Sequence, residues 1–100
     1  MSINRIYDEV IVELRDELNK AKEEMDSIND SITKWKIRKE SFKNIEGKED
    51  FHKECDDKIK ELGYKMKALE NKMEILNKRI TNLDSDGNRE VIINKVSEEL

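Results

Sequence analysis

Apolar residues in the first half of the chain recur at alternating intervals of four and three. They are Tyr7, Ile11, Leu14, Leu18, Ala21, Met25, Ile28, Ile32, Trp35 and Phe42, and only Lys39 breaks the alternation. A mean spacing of about 3.5 residues is the heptad repeat of a coiled coil. The spacing predicts a helix over about 3–45. The second half repeats the pattern without interruption at Cys55, Ile59, Leu62, Met66, Leu69, Met73, Leu76, Ile80 and Leu83, predicting a helix over about 50–84. A turn over about 46–49 separates them. Gly47 supplies the left-handed residue that stops a helix, and Glu49 or Asp50 brings a carboxylate to the free N–H groups that start one.

The two seams match each other. A chain folded back at Gly47 pairs positions symmetric about that residue. Ile28 then meets Met66, Ile32 meets Leu62, Leu18 meets Leu76, Leu14 meets Ile80, and Lys39 faces Cys55. Every seam residue of one helix faces a seam residue of the other, as a hairpin requires. The flanking positions offer four attractive pairs, Glu17–Arg79, Lys22–Glu70, Glu24–Lys72 and Lys36–Asp56, against two repulsive ones. Exposed pairs of this kind contribute only ~0–1 kcal/mol each, so they select a register more than they stabilise it. Lys39 is a polar break in the seam, which also specifies register at some cost in stability.

Past Asp84-Ser85-Asp86-Gly87-Asn88 the pattern changes. Those residues are turn formers and predict a turn over about 85–88. Ile92, Ile93, Val96 and Leu100 fit one face of a short helix over about 89–99, although Val91-Ile92-Ile93 also suits a strand. Helix 1 carries extra apolar residues near its start, at Ile3, Ile6, Val10 and Val12. The hairpin returns Leu83 beside Ile11, so the last segment is expected to fold back onto that face. The fold class is therefore all-α: a long antiparallel helical hairpin with a short C-terminal helix docked on its open end.

Composition narrows the function. The chain has 100 residues with 44% charged, 35% hydrophobic, 5% aromatic and no proline. This fits one small domain, and such a Gly- and Pro-poor chain argues against all-β folds. Twenty basic residues against 24 acidic ones leave a net charge of −4, read as a mild excess spread along the chain. Nucleic-acid binding is disfavoured because it calls for a clustered basic face. A single cysteine, Cys55, excludes an internal disulfide. The longest apolar run near the N-terminus, Val10-Ile11-Val12, makes neither a signal peptide nor a membrane span. The expected setting is cytoplasmic. The excess of lysine over arginine, with abundant isoleucine and asparagine, points to an AT-rich genome.

Candidate chemistry is sparse. Residues 82–90 resemble part of an EF-hand calcium loop, with oxygen-bearing residues at loop positions 1, 3, 5 and 9 and Gly87 at position 6. Arg89 stands where an apolar residue belongs and Ile93 where the bidentate glutamate belongs, so a turn is the preferred reading. His52 and Cys55, three apart on a helix, suggest a thiolate–imidazole pair, but a two-helix structure offers them no enclosed pocket. One Cys and one His provide no zinc set. Trp35 near the turn invites comparison with small secreted hairpins of the type VII export class, which carry Trp-x-Gly there; Trp35-Lys36-Ile37 lacks the glycine. No catalytic residue, cofactor or metal is expected.

Helix 2 has an outer apolar stripe, Tyr64, Ala68 and Ile75, on positions that should face water, and Ile37 on helix 1 is similar. These four residues are the candidate partner interface. The expected function is a non-enzymatic protein–protein interaction module, a coiled-coil adaptor or structural protein that forms a homodimer. The alternative is a small regulator or inhibitor, encoded by a phage or mobile element, that binds a host protein surface.

Overall fold

The structure, a computed structural model, describes residues 2–100. It is all-α, with α1 at Ile3–Ser41, α2 at Glu49–Asp84 and α3 at Asp86–Glu99. α1 and α2 pack as a helical hairpin. The chain divides into two compact units, one made of Met1–Ala21 with Lys72–Leu100 and the other of Lys22–Asn71. Folding back at Gly47 keeps both members of each seam pair inside one unit: Leu18 and Leu76 in the first, Ile28 and Met66 in the second.

In the first unit Leu14, Leu18 and Leu76 form a buried cluster, and Met73, Ile80 and Leu83 pack against it. The cluster thus holds both members of the pairs Leu18–Leu76 and Leu14–Ile80. Tyr7, Ile11 and Ala21 are buried on the same stripe of α1. In the second unit Cys55 and Leu69 are buried, while Met25, Ile28, Ile32, Ile59, Leu62 and Met66 are half-buried. Two helices cover a seam residue from one side only, so burial along this unit stays partial.

The helix ends follow from local chemistry. At the start of α1 the Ser2 hydroxyl accepts a hydrogen bond from the Arg5 backbone N–H at 3.4 Å, the usual service of a capping serine. α1 stops at Ser41, short of the expected residue 45. The N–H groups of Phe42, Lys43 and Ile45 each bond a carbonyl three residues back, which tightens the chain out of α-geometry. Asn44 then enters the left-handed region at φ 68°, ahead of Gly47 at φ 73°. Asparagine tolerates that conformation better than most residues, so the stop comes before the glycine. α2 starts at Glu49, with Glu49 and Asp50 in its first turn, where carboxylates suit the positive end of the helix.

The second turn is also shorter than expected. Only Ser85 is extended, at φ −73° and ψ 122°, and its carbonyl accepts the Arg89 N–H at 2.9 Å. Asp86, Gly87 and Asn88 are already the first turn of α3. Residues that favour turns also favour helix starts, because both leave N–H groups for side chains and water to satisfy. Val91-Ile92-Ile93 is helical, so the 92, 93, 96 spacing overrides strand propensity.

Candidate protein-binding surfaces

The sequence-predicted interface residues lie on the surface. In the second unit Ile37 and Tyr64 are each 64% exposed, and Ala68, one helical turn past Tyr64, is exposed too. Ile75, in the first unit, is 59% exposed. The helical spacing that buries the seam on one side of each helix turns Ile37 outward on α1 and Tyr64, Ala68 and Ile75 outward on α2.

The turn end of the second unit carries an aromatic cluster. The Phe42 and Phe51 rings stack at 5.0 Å, and His52 meets Phe42 edge-on at 6.4 Å. Lys48 Nζ stands 5.3 Å from the centre of Phe51, and the Arg38 guanidinium 4.5 Å from that of Trp35. An open cleft of about 280 Å³ lies among Trp35, Arg38, Phe42, Phe51 and Cys55. Phe51 was not singled out in the sequence because it falls off the heptad; its place in the first turn of α2, after a break in α1, was the available signal. Cys55 is only 3% exposed despite its place at the cleft. His52 Nε2 is buried without a hydrogen-bond partner, and no hydrogen bond joins His52 to Cys55 among the described residues. Lys39 Nζ reaches the Asp56 carboxylate at 2.6 Å. That hydrogen bond, with the charge of Asp56 behind it, raises the Lys39 pKa above the ordinary lysine value.

The ion pairs differ from those the flanking positions suggested. Asp56 binds Lys39 rather than Lys36, and Arg15 pairs with Asp84. Glu17–Arg79 and Lys22–Glu70 do not form among the described residues. Lys39 is half-buried on the seam, whereas Lys36 is exposed.

At the far end of the first unit, α3 is pinned to α1 by Arg89. Its guanidinium donates to the Asp8 carboxylate at 2.7 Å and to the Asn4 carbonyl at 3.1 Å. It also lies over the Tyr7 ring, 4.5 Å from the centroid. Hydrogen bonding by Arg89 lowers the Asp8 pKa below the usual aspartate value. Asp84 is engaged by Arg15, and Asp86, Gly87 and Asn88 are helical, so the stretch resembling an EF-hand does not form a ligand loop. No cluster of metal-binding side chains occurs among the described residues, and no described helix is long and apolar enough to cross a membrane.

α3 rests on the α1 residues expected to receive it. Ile3, Ile6 and Val10 of α1, Leu83 of α2 and Ile93 and Val96 of α3 line an apolar groove of about 200 Å³. Val12 stays outside it and is 56% exposed. No residue of α3 is fully buried, so the helix covers this face thinly. The segments that build the groove, residues 3–17 and 83–100, hold ten acidic and four basic residues, whereas the rest of the chain holds 14 acidic and 16 basic. The acidic excess is therefore gathered at this end rather than spread along the chain. It was invisible in a linear reading because the fold joins two stretches from opposite ends of the sequence.

No protein-family model, curated protein or solved structure matches the chain. Its surfaces must be read from their own geometry.

Proposed function

We propose that the chain is a non-enzymatic protein–protein interaction module that works through apolar side chains held in water on a helical hairpin, and that it self-associates as a homodimer. One observation carries this reading. The accessible surface is 7812 Å² for a mass of 11.9 kDa, where a folded monomer of this mass exposes about 5,900 Å². The surplus exceeds the ~800 Å² per partner of a standard interface. It includes Ile37, Tyr64 and Ile75, large apolar groups that gain by leaving water. A second copy covering the flanks of the seam would make a four-helix bundle, the common solution for thin hairpins. A lone buried thiol at Cys55 fits a reducing compartment such as the cytoplasm.

Sedimentation equilibrium tests the proposal. The expected result is a mass about twice 11.9 kDa that falls to the monomer value in Tyr64→Glu plus Ile75→Glu with helicity retained. A wild-type monomer at the highest attainable concentration would overturn self-association. The acidic apolar end of the first unit favours, in addition, a partner of different chemistry.

A further inference from the structure

The groove between α1, Leu83 and α3 has three properties that together specify an occupant. It is lined by aliphatic side chains and the Tyr7 ring, and Val10 and Val96 at its edges are 37% and 40% exposed. Its volume of about 200 Å³ is below the ~300–1,000 Å³ of small-molecule sites, and suits a large apolar side chain projecting from a longer ligand. Its surroundings are acidic. Glu13 and Glu17 stand three and seven residues past Val10, and Glu99 three past Val96, so these exposed carboxylates continue the same helix faces. Three of the four basic residues of these segments are already matched: Arg5 to Glu9, Arg15 to Asp84 and Arg89 to Asp8. Among the described residues of these segments Lys95 alone makes no such match.

We infer that this groove docks an amphipathic helix of another protein whose apolar anchors are flanked by lysine and arginine. Charge complementarity is the deciding argument. A second copy would bring two net-acidic ends together, and like charges facing across an interface oppose association. A basic amphipathic helix, whose apolar anchors recur at i, i+3, i+4 and i+7, would seat one of them in the groove and meet Glu13, Glu17 and Glu99 around it. The inference rests on the interaction-module reading and assigns one of its surfaces a partner.

The test uses the full chain and two fluorescein-labelled probes: a leucine–lysine peptide with leucines at i, i+3, i+4 and i+7, and its leucine–glutamate counterpart. Anisotropy titration at low salt should show saturable binding of the basic peptide, roughly tenfold or more tighter than the acidic one, and weakening as salt screens the rim. Val10→Glu plus Val96→Glu, at half-exposed positions, should reduce that affinity with helicity unchanged. Isoleucine-methyl NMR of the wild type supplies a readout without mutation. The Ile3, Ile6, Ile92 and Ile93 signals should move with basic peptide, while those of Ile37 and Ile75 stay. Equal affinity for both peptides, or no saturable binding at millimolar peptide, would overturn the groove assignment. Shifts confined to Ile37 and Ile75 would also overturn it while leaving protein binding intact at another face. If the groove variant instead dissociates a dimer, the occupant is a second copy and the inference falls. The sedimentation result with Tyr64→Glu plus Ile75→Glu judges the interaction-module reading separately.

Discussion

Tyr7 and Leu83 lie 76 positions apart in the sequence and are joined by a hydrogen bond of 2.8 Å, the phenol hydroxyl donating to the backbone carbonyl. Leu83 is the penultimate residue of α2, so its carbonyl is one of the last four that a helix leaves without an internal donor. Tyr7 satisfies that carbonyl from the next helix. The same ring lies under the Arg89 guanidinium of α3. One buried side chain therefore ties together the start of α1, the end of α2 and α3.

Tyr7→Phe keeps the ring and removes the donor. A neutral hydrogen bond contributes about 0.5–1.5 kcal/mol net, and leaving an acceptor unpaired accounts for much of it. The expected effect is a loss of about 1 kcal/mol in urea denaturation, or about 4–8 °C in melting temperature for a domain of this size. An unchanged melting temperature would show that water replaces the phenol at no cost.

The Asp8–Arg89 pair sets a pH dependence. Arg89 lowers the Asp8 pKa in the folded state, so the contribution of the pair is full above the unfolded aspartate value of ~3.9. It is lost as pH falls through the lower folded value. Asp8→Asn removes the dependence. The melting-temperature difference between wild type and Asp8→Asn should be constant near neutral pH, shrink in acid below the usual aspartate range, and shrink also in high salt, since the pair is exposed. A difference that grows on acidification would contradict the assigned pairing.

Much of the hairpin was legible because its signal is periodic. A heptad seam fixes which face of each helix is buried, and Gly47 fixes where the two seams cross over. The docking of α3 was legible from Ile3, Ile6 and Val10, which had no other purpose on α1. Less legible were features decided by competition among near-equal options. Asn44 rather than Gly47 ends α1 because either residue can enter the left-handed region. Ser85 alone makes the second turn because Asp86-Gly87-Asn88 suits a helix start as well as a loop. Ion-pair choice was least legible: Asp56 has two lysines within one turn of α1, and heptad spacing alone does not distinguish the half-buried Lys39 from the exposed Lys36.

The first turn makes its own prediction. Gly47 has φ 73° and open space where a Cβ would be, so Gly47→Ala clashes with nothing and costs only the backbone term, about 1–2 kcal/mol. Asn44→Ala should lose stability by a similar route, and Asn44→Gly should be neutral or mildly stabilising, because glycine removes the residual strain of φ 68°. Urea midpoints of the three variants check this. A neutral Gly47→Ala would show that the loop relaxes to a negative φ without disturbing the helices.

Lys39 is the one charged residue in the α1 seam, and its replacement separates stability from specificity. Lys39 is half-buried and its ammonium is held by Asp56, so it fits the seam without being fully buried there. An exposed pair of this kind adds little stability, whereas an apolar side chain at a seam position removes surface from water. Lys39→Leu should therefore raise the urea midpoint at neutral pH. The sign at high pH follows from the raised Lys39 pKa. The contribution of the wild-type pair is full below the ordinary lysine value of ~10.4 and is lost as pH rises through the higher folded value. The advantage of Lys39→Leu over wild type should therefore widen in strong alkali. Asp56→Asn provides the control: it removes the pair but keeps the lysine in the seam, and it should flatten that alkaline dependence while leaving the midpoint at or below wild type. A Lys39→Leu protein less stable than wild type at neutral pH would show that the Asp56 pair, and not the apolar seam, governs this end of the hairpin.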